Sequence, residues 1–301
     1  MVKKYFVKNT GLIKASGNDL IDFLNRMSTN DLRKFPTDEF RKTVLTSDKG
    51  RIIDLINVLN FKEHQFILTS HGFQEKVISH LGKYIIMDDV VLEDSGEKYF
   101  HIIISGDDIP VTAKEISGED VLKDKIYKPD EDEYLFLDDF KFESLNIICK
   151  EKSLNKFNEL LKDHSLQTCE EYEFMRIDAG MPEGENEFND NINPMECGLD
   201  KYISFKKGCY IGQEVIARLD SQDKRPKQMV KIVSGKSLSS GDKIFSDNKE
   251  AGFISSSVEH NGSNLSLGFI RSVDLDYSPG KNYSVSNGKG ETIKISISKT
   301  N

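Results

Sequence analysis

The residues of this chain best suited to chemistry lie between Asn193 and Arg218, in the run Asn-Pro-Met-Glu-Cys-Gly-Leu-Asp-Lys-Tyr-Ile-Ser-Phe-Lys-Lys-Gly-Cys-Tyr-Ile-Gly-Gln-Glu-Val-Ile-Ala-Arg. Cys209 offers a nucleophilic thiol. Gly208 and Gly212 on either side permit tight backbone geometry and the close approach of another group. A helix opening at Gln213 would point free amide N–H groups back toward the thiol. With Lys206 and Lys207 beside it, that would favour the thiolate. The same spacing also suits a small buried cysteine behind a glycine turn. Upstream, Glu196 follows Pro194. A carboxylate there could accept two hydrogen bonds from an amidine-like edge, or it could be an ordinary solvated acid.

Residues 201–231 hold eight basic side chains, namely Lys201, Lys206, Lys207, Arg218, Lys224, Arg225, Lys227 and Lys231. They hold three acids, Glu214, Asp220 and Asp223. In a chain of net charge −9 this is a local inversion of sign. It suits an anionic ligand tail, an RNA contact or a solvated linker face. The overall negative charge argues against a non-specific binder of nucleic acid or membrane. The four cysteines, Cys149, Cys169, Cys197 and Cys209, form no Cys-x-x-Cys pair and match no zinc or ferredoxin spacing, so no metal site is expected. They read as free thiols, with Cys149 and Cys169 in the core. With no secretory signal or apolar run of membrane-spanning length, the simplest location is the cytoplasm.

These residues need elements to position them. Residues 2–15 read as short strands, and 18–27 as a helix with Asn18 as its N-cap. Paired strands are expected at 43–46, 52–61 and 66–69, and a helix at 72–86. Strands are expected at 87–93, 99–105, 134–138 and 145–149. The acidic, weakly periodic stretch 106–133 reads as variable surface structure. A helix is expected at 153–161. Thr168 and Glu171 are spaced as a capping box opening a second helix, which stops at Gly180 and Pro182 and carries Arg176. Residues 183–194 read as a loop and 221–228 as a linker. Six short strands from Met229 onward suggest a small antiparallel barrel. At 301 residues the chain suits two or three units, with 1–228 as the core and 229–301 as the barrel domain.

Lys207-Gly208-Cys209-Tyr210-x-Gly212-Gln213-Glu214 resembles the defining motif of the YgfZ family, which is related to the T-protein (aminomethyltransferase) of the glycine cleavage system. Arg176-Ile-Asp-Ala-Gly180-Met-Pro182 and Pro194-x-Glu196-x-Gly198-Leu199 resemble further segments of that family. Gly50-Arg51-Ile52-Ile53-Asp54 resembles the strand that carries the T-protein acid. Residues 251–256 and 267–270 resemble the family's C-terminal barrel. The resemblance implies an α+β fold of three subdomains around a central hole, ending in a small antiparallel barrel, with tetrahydrofolate or a one-carbon derivative as cofactor. It implies Cys209 and Asp54 as the chemical residues. It implies Glu196, Arg176, Lys207, Tyr210, Gln213, Glu214 and Arg218 as the cofactor-binding set, Glu196 receiving the pterin. The implied partners are iron–sulfur enzymes or cluster assembly proteins, with an indirect link to tRNA modification.

One departure bears on mechanism. The T-protein pattern is closer to Gly-Gly-x-x-Asp-Asp; here Arg51 replaces the second glycine and Leu55 the second acid. Asp54 could serve as a general acid in one-carbon transfer only if it faces the ligand. Two alternatives stand beside the folate-dependent maintenance role. One is an aminomethyltransferase; the other is a non-enzymatic scaffold or tRNA-binding module.

Overall fold

The computed structural model describes residues 3–300 except 9, 223, 224, 279 and 287–290. The chain forms two compact units. The first comprises Met1–Ser47, Ile53–Gln167 and Tyr202–Ile211; the second comprises Asp48–Ile52, Thr168–Lys201 and Gly212–Asn301.

The first unit begins with strands β1 (Lys4–Lys8) and β2 (Gly11–Ser16), then helix α1 (Leu20–Met27). Strands β3 (Glu39–Thr46), β4 (Ile52–Asn60) and β5 (Gln65–Thr69), helix α2 (Gln74–Gly82) and strand β6 (Val91–Asp94) follow. After them come β7 (Phe100–Ser105), helix α3 (Ile109–Ser117), β8 (Ile126–Asp130), β9 (Glu133–Asp138), β10 (Ser144–Cys149), helix α4 (Glu151–Leu160) and the short β11 (Ser165–Leu166). Two sheets result, in the orders β3-β4-β5-β2-β6 and β11-β1-β7-β10-β9-β8.

Apolar side chains explain the layering of this unit. Leu20, Phe23, Leu24 and Met27 recur at helical spacing on α1. With Val77 and Leu81 of α2 they bury against Ile13, Ile56, Val58 and Ile67 of the first sheet. Ile109 and Ala113 of α3 and Phe157 of α4 cover Ile102, Leu135 and Ile147 of the second. Phe40, Leu59 and Phe66 from one sheet and Phe136 and Ile148 from the other share a third core.

Several expected boundaries move. Residues 106–133, expected as variable surface structure, hold the regular elements α3 and β8. The apolar face of α3 is only two residues wide, and β8 buries Ile126 alone along its length, so the periodic signal is weak. Asn18 is not the N-cap of α1; Asp19 is, and Asn18 instead donates from its main-chain N and Nδ2 to Asp89 Oδ2 at 3.0 and 2.8 Å. Helix α2 is shorter than 72–86.

The second unit contains helix α5 (Cys169–Asp178), the single turn α6 (Gly184–Glu187), 3-10 turns at Pro194–Cys197 and Asp200–Tyr202, and helix α7 (Gln213–Ser221). The Thr168–Glu171 capping box is present, with Glu171 N donating to Thr168 Oγ1 at 3.2 Å and Thr168 N to Glu171 Oε2 at 2.6 Å. Residues 183–194 thus include one helical turn rather than loop alone. Of the expected linker 221–228, Ser221 closes α7 and Lys227 opens a strand, while Asp223 and Lys224 lie outside the described residues. Strands β12 (Lys227–Ser234), β13 (Lys243–Ser246), β14 (Lys249–His260), β15 (Ser263–Arg271), β16 (Tyr283–Ser286) and β17 (Thr292–Lys299) close into a barrel in the order β12-β15-β14-β13-β16-β17. Every pairing within it is antiparallel. Its interior is filled by Val230, Ile232, Ile244, Ile254, Ile270 and Val285. A Cβ on Gly252 would lie 1.9 Å from the Phe269 carbonyl oxygen, so β14 and β15 can approach only because that residue is glycine.

Candidate functional site

In the first unit, the motif residues 202–211 are stitched by hydrogen bonds to α1, to the residues just after it and to β3. Ser204 N donates to Thr29 O at 2.9 Å and Ile211 N to Arg26 O at 3.1 Å. Thr46 Oγ1 donates to Ile211 O at 2.7 Å. Within this stretch the side chains divide sharply. Lys207 and Tyr210 are buried, whereas Phe205, Lys206, Gly208 and Cys209 face solvent. The Lys207 ammonium is only 5% exposed and donates to three main-chain carbonyls, Asn25 O at 2.5 Å, Ser28 O at 2.8 Å and Asn30 O at 2.6 Å. Two of these lie at the C-terminal end of α1, where orphan carbonyls attract a cation. The Lys207 Nζ also lies 5.2 Å from the centre of the Tyr210 ring. Burial pushes the amine down to about 8, opposed by the nearby Asp31 carboxylate.

Cys209 is exposed and is not the small buried cysteine that the glycine turn also allowed. Cys149 and Cys197 are buried. Cys169, expected in the core, is exposed because it opens α5 on the solvent side. Among the described residues no group of three or more His, Cys, Asp or Glu side chains converges as a metal site.

Asp54 is fully buried on β4. Its Oδ2 accepts from Ser70 N at 2.8 Å; its Oδ1 accepts from Ser70 Oγ at 2.7 Å and from Leu55 N at 2.9 Å. The carboxylate therefore ties β4 to the end of β5. Leu55 is half-buried.

In the second unit, Glu196 is not the solvated loop acid of the bland reading, for it is 2% exposed. It forms a reciprocal box with Asn193: Met195 N and Glu196 N donate to Asn193 Oδ1 at 3.0 and 3.1 Å, and Asn193 N donates to Glu196 Oε2 at 2.9 Å. The other carboxylate oxygen, Oε1, is buried without a hydrogen-bond partner. Burial raises the Glu196 pKa; the Asn193 amide, Lys227 and Arg51 pull the other way. Lys227 Nζ stands 3.9 Å from Oε2. It donates to Asn191 O at 2.8 Å, and Arg51 Nη1 donates to the same oxygen at 3.3 Å.

Arg176 has a different setting. Its guanidinium donates to both Glu173 oxygens at 2.8 and 2.9 Å, to Met181 O at 3.2 Å, to Glu187 Oε2 at 3.4 Å and to Ser256 Oγ at 3.0 Å. These bonds tie α5 to β14. Gln213, Glu214 and Arg218 lie on α7, whose N-cap Gly212 has a φ of 81° that glycine adopts without strain. Gln213 is half-buried, whereas Glu214 and Arg218 are exposed.

Sequence reasoning did not single out Asn193, although Asn-Pro-x-Glu carries the box signature with proline at the first helical position. It also left unassigned Ser70, the partner of Asp54, for which no local signal exists.

Residues 5–127 match the GCVT N-terminal domain family. Two aminomethyltransferases, from Caldanaerobacter subterraneus and Thermosipho melanesiensis, are each 23% identical to the chain, over 275 and 297 residues. Those alignments cover 82% and 93% of this chain and 71% and 80% of the relatives. The chain is similar to these aminomethyltransferases over most of its length. The solved structure of glycine cleavage system aminomethyltransferase T from Bartonella henselae matches with a TM-score of 0.83, covering 98% of this chain and 85% of that one, at 13% identity. The fold of the chain is thus the T-protein fold, α+β and ending in a closed six-stranded antiparallel barrel. Among the described residues no helix is long and apolar enough to cross a membrane.

Proposed function

We propose that this GcvT-like protein binds a reduced folate, tetrahydrofolate or a one-carbon derivative, and supports iron–sulfur enzymes in the manner of the YgfZ family. The observation that carries the folate reading is the Glu196 carboxylate. It is held rigidly in a buried box with one oxygen satisfied and the other, Oε1, lacking a donor. A buried acceptor of this kind is matched by an N–H-bearing ring edge such as that of a pterin. Burial raises the Glu196 pKa, and the Asn193 amide, Lys227 and Arg51 oppose that rise. Bound there, the folate would supply a one-carbon carrier; the protein's part is to hold the ring.

The maintenance role is supported by the intact 207–214 motif with its thiol on the surface. Lys207 and Tyr210 anchor the segment while Cys209 remains open to a partner. Gln213, Glu214 and Arg218 lie on the helix that continues the motif, and Arg176 ties α5 to the barrel strand β14.

The second reading, aminomethyl transfer, is favoured by the names of the relatives. Against it stands Asp54, whose two oxygens accept three hydrogen bonds from Ser70 and Leu55. A carboxylate so engaged is committed to tying β4 to the end of β5.

Calorimetric titration of tetrahydrofolate into wild type, Glu196→Ala and Cys209→Ser tests the reading. Wild type and Cys209→Ser are expected to bind alike, and Glu196→Ala to lose binding at least tenfold. Absence of binding by the wild type at ligand well above micromolar levels overturns the folate claim. A single-turnover transfer assay with tetrahydrofolate separates the second reading from the first.

A further inference from the structure

Away from Cys209 and Glu196, the first unit holds a second set of side chains with the means to do chemistry. His101 on β7 and Asn146 on β10 are 8% and 5% exposed. The two strands pair antiparallel, and Asn146 stands opposite Ile103, two positions from His101. Both side chains therefore project from one face of the sheet. That face also carries Phe136 and Ile148 of the third core. Among such neighbours a polar pair persists only when its atoms are satisfied. Thr10, half-buried between β1 and β2, completes the set. Its Oγ1 lies 2.6 Å from His101 Nδ1, and His101 Nε2 lies 2.9 Å from Asn146 Oδ1.

Hydrogen-bond polarity decides what each atom does. Asn146 Nδ2 donates to Ser144 Oγ at 3.1 Å, and Ser144 Oγ donates to the Asp138 carbonyl at 3.4 Å. A carbonyl only accepts, so the direction is set from that end. Asn146 therefore turns Oδ1, an acceptor, toward the imidazole. In neutral His101 the ring hydrogen then sits on Nε2, and the Nδ1 lone pair accepts the Thr10 O–H. The bonds run in one direction from Thr10 through His101, Asn146 and Ser144 to the Asp138 carbonyl. This is the order of a hydroxyl nucleophile, a base and a residue that holds the base in the right tautomer. A purely structural tie would not need a half-exposed hydroxyl at its head.

We infer that Thr10 is a nucleophile activated by His101, a covalent site for small activated acyl esters, with Asn146 as a positioning residue. The site lies wholly in the first unit and does not rest on the folate reading. Thr10 Oγ1 attacks the acyl carbonyl carbon, and its proton passes to His101 Nδ1. The bond from that carbon to the leaving oxygen breaks, and His101 hands the proton to the departing oxygen. The products are an acylated Thr10 and the free alcohol of the ester, so no redox partner enters the balance. A neutral imidazole takes up one proton, which is all that this transfer asks of it.

The probe is 4-nitrophenyl acetate, and peptide mass mapping of the full chain locates the acetyl group. Thr10 is expected to be acetylated about a hundredfold faster in the native protein than in the urea-unfolded chain, where no base stands beside it. Thr10→Val should abolish that adduct, and His101→Gln should slow it to about the unfolded rate. Asn146→Asp keeps an acceptor toward Nε2 and should retain most of the rate, whereas Asn146→Leu should lose it. Thermal unfolding of each variant checks that the fold survives. Nitrogen-15 NMR of labelled histidine in the wild type reads the tautomer directly, and His101 is expected to carry its hydrogen on Nε2. The inference is overturned if native Thr10 reacts no faster than the unfolded chain, or if neutral His101 carries its hydrogen on Nδ1. A folded His101→Gln protein that keeps the wild-type rate overturns it as well. Should the His101 and Asn146 variants fail to fold, the wild-type rate and tautomer still decide the matter.

Discussion

Replacing Lys207 with methionine tests how the motif loop is held. The substitution preserves the length and apolar stem of the side chain and removes the ammonium. Three carbonyls, on Asn25, Ser28 and Asn30, then lose their donor. A buried acceptor left unpaired costs about 1–3 kcal/mol, offset partly by no longer burying a charge and partly by water reaching the half-buried Asn30. A net loss of about 2–4 kcal/mol follows, which lowers the unfolding midpoint by about 5–10 °C in a chain of this size. The pH dependence carries a sign. Burial holds the folded-state amine at about 8, against the 10.5 of a free lysine amine. Between those values the unfolded chain holds more protons than the folded one, so the stability contributed by Lys207 rises with pH across the window. It is fully present above the unfolded value and is lost as pH falls through about 8. The interval is worth roughly 3 kcal/mol at about 1.4 kcal/mol per pH unit. Lys207→Met has no such titration. The gap between wild type and variant, followed by thermal denaturation with circular dichroism, is therefore expected to widen between pH 7 and pH 10. A midpoint within 1 °C of wild type at pH 7 would show that the ammonium does not anchor the loop. A gap that narrows toward pH 10 would show that the carbonyl cage, rather than burial, controls the proton.

Thiol accessibility gives a quicker check. Of the four cysteines, Cys169 and Cys209 are exposed and Cys149 and Cys197 buried, so a native-state titration with a thiol reagent should show two fast and two slow groups; Cys209→Ser should leave one fast group, and any other count contradicts the placement of the motif. Asp54→Ala strips acceptors from Ser70 N, Ser70 Oγ and Leu55 N. A loss of about 2–4 kcal/mol is expected in denaturant unfolding, whereas an unchanged midpoint would show that the acid is not a tie between β4 and β5.

The sequence alone determined the elements whose signals are local. The period-two strands of the barrel, the Thr168–Glu171 box and the start of α7 after Gly212 all follow from side-chain spacing and backbone freedom within a few residues. The motif 207–214 is legible for the same reason, as is the chemistry available to Cys209 and Glu196. Weak periodicity misread the stretch 106–133, where α3 and β8 each bury too few residues to leave a pattern. What spacing does not encode is which atoms remain unused once the chain folds. Lys207 reads as a basic residue beside a thiol; the carbonyls of Asn25, Ser28 and Asn30, some 180 positions away in sequence, make it an internal anchor. Asp54 reads as an acid that could serve chemistry if it faced the ligand, yet Ser70 bonds to both of its oxygens. Glu196 reads as an ordinary loop acid, yet burial leaves one of its oxygens without a donor. Each outcome depends on desolvation and on partners distant in sequence, and both arise only when the tertiary structure removes water and brings those partners within bonding distance.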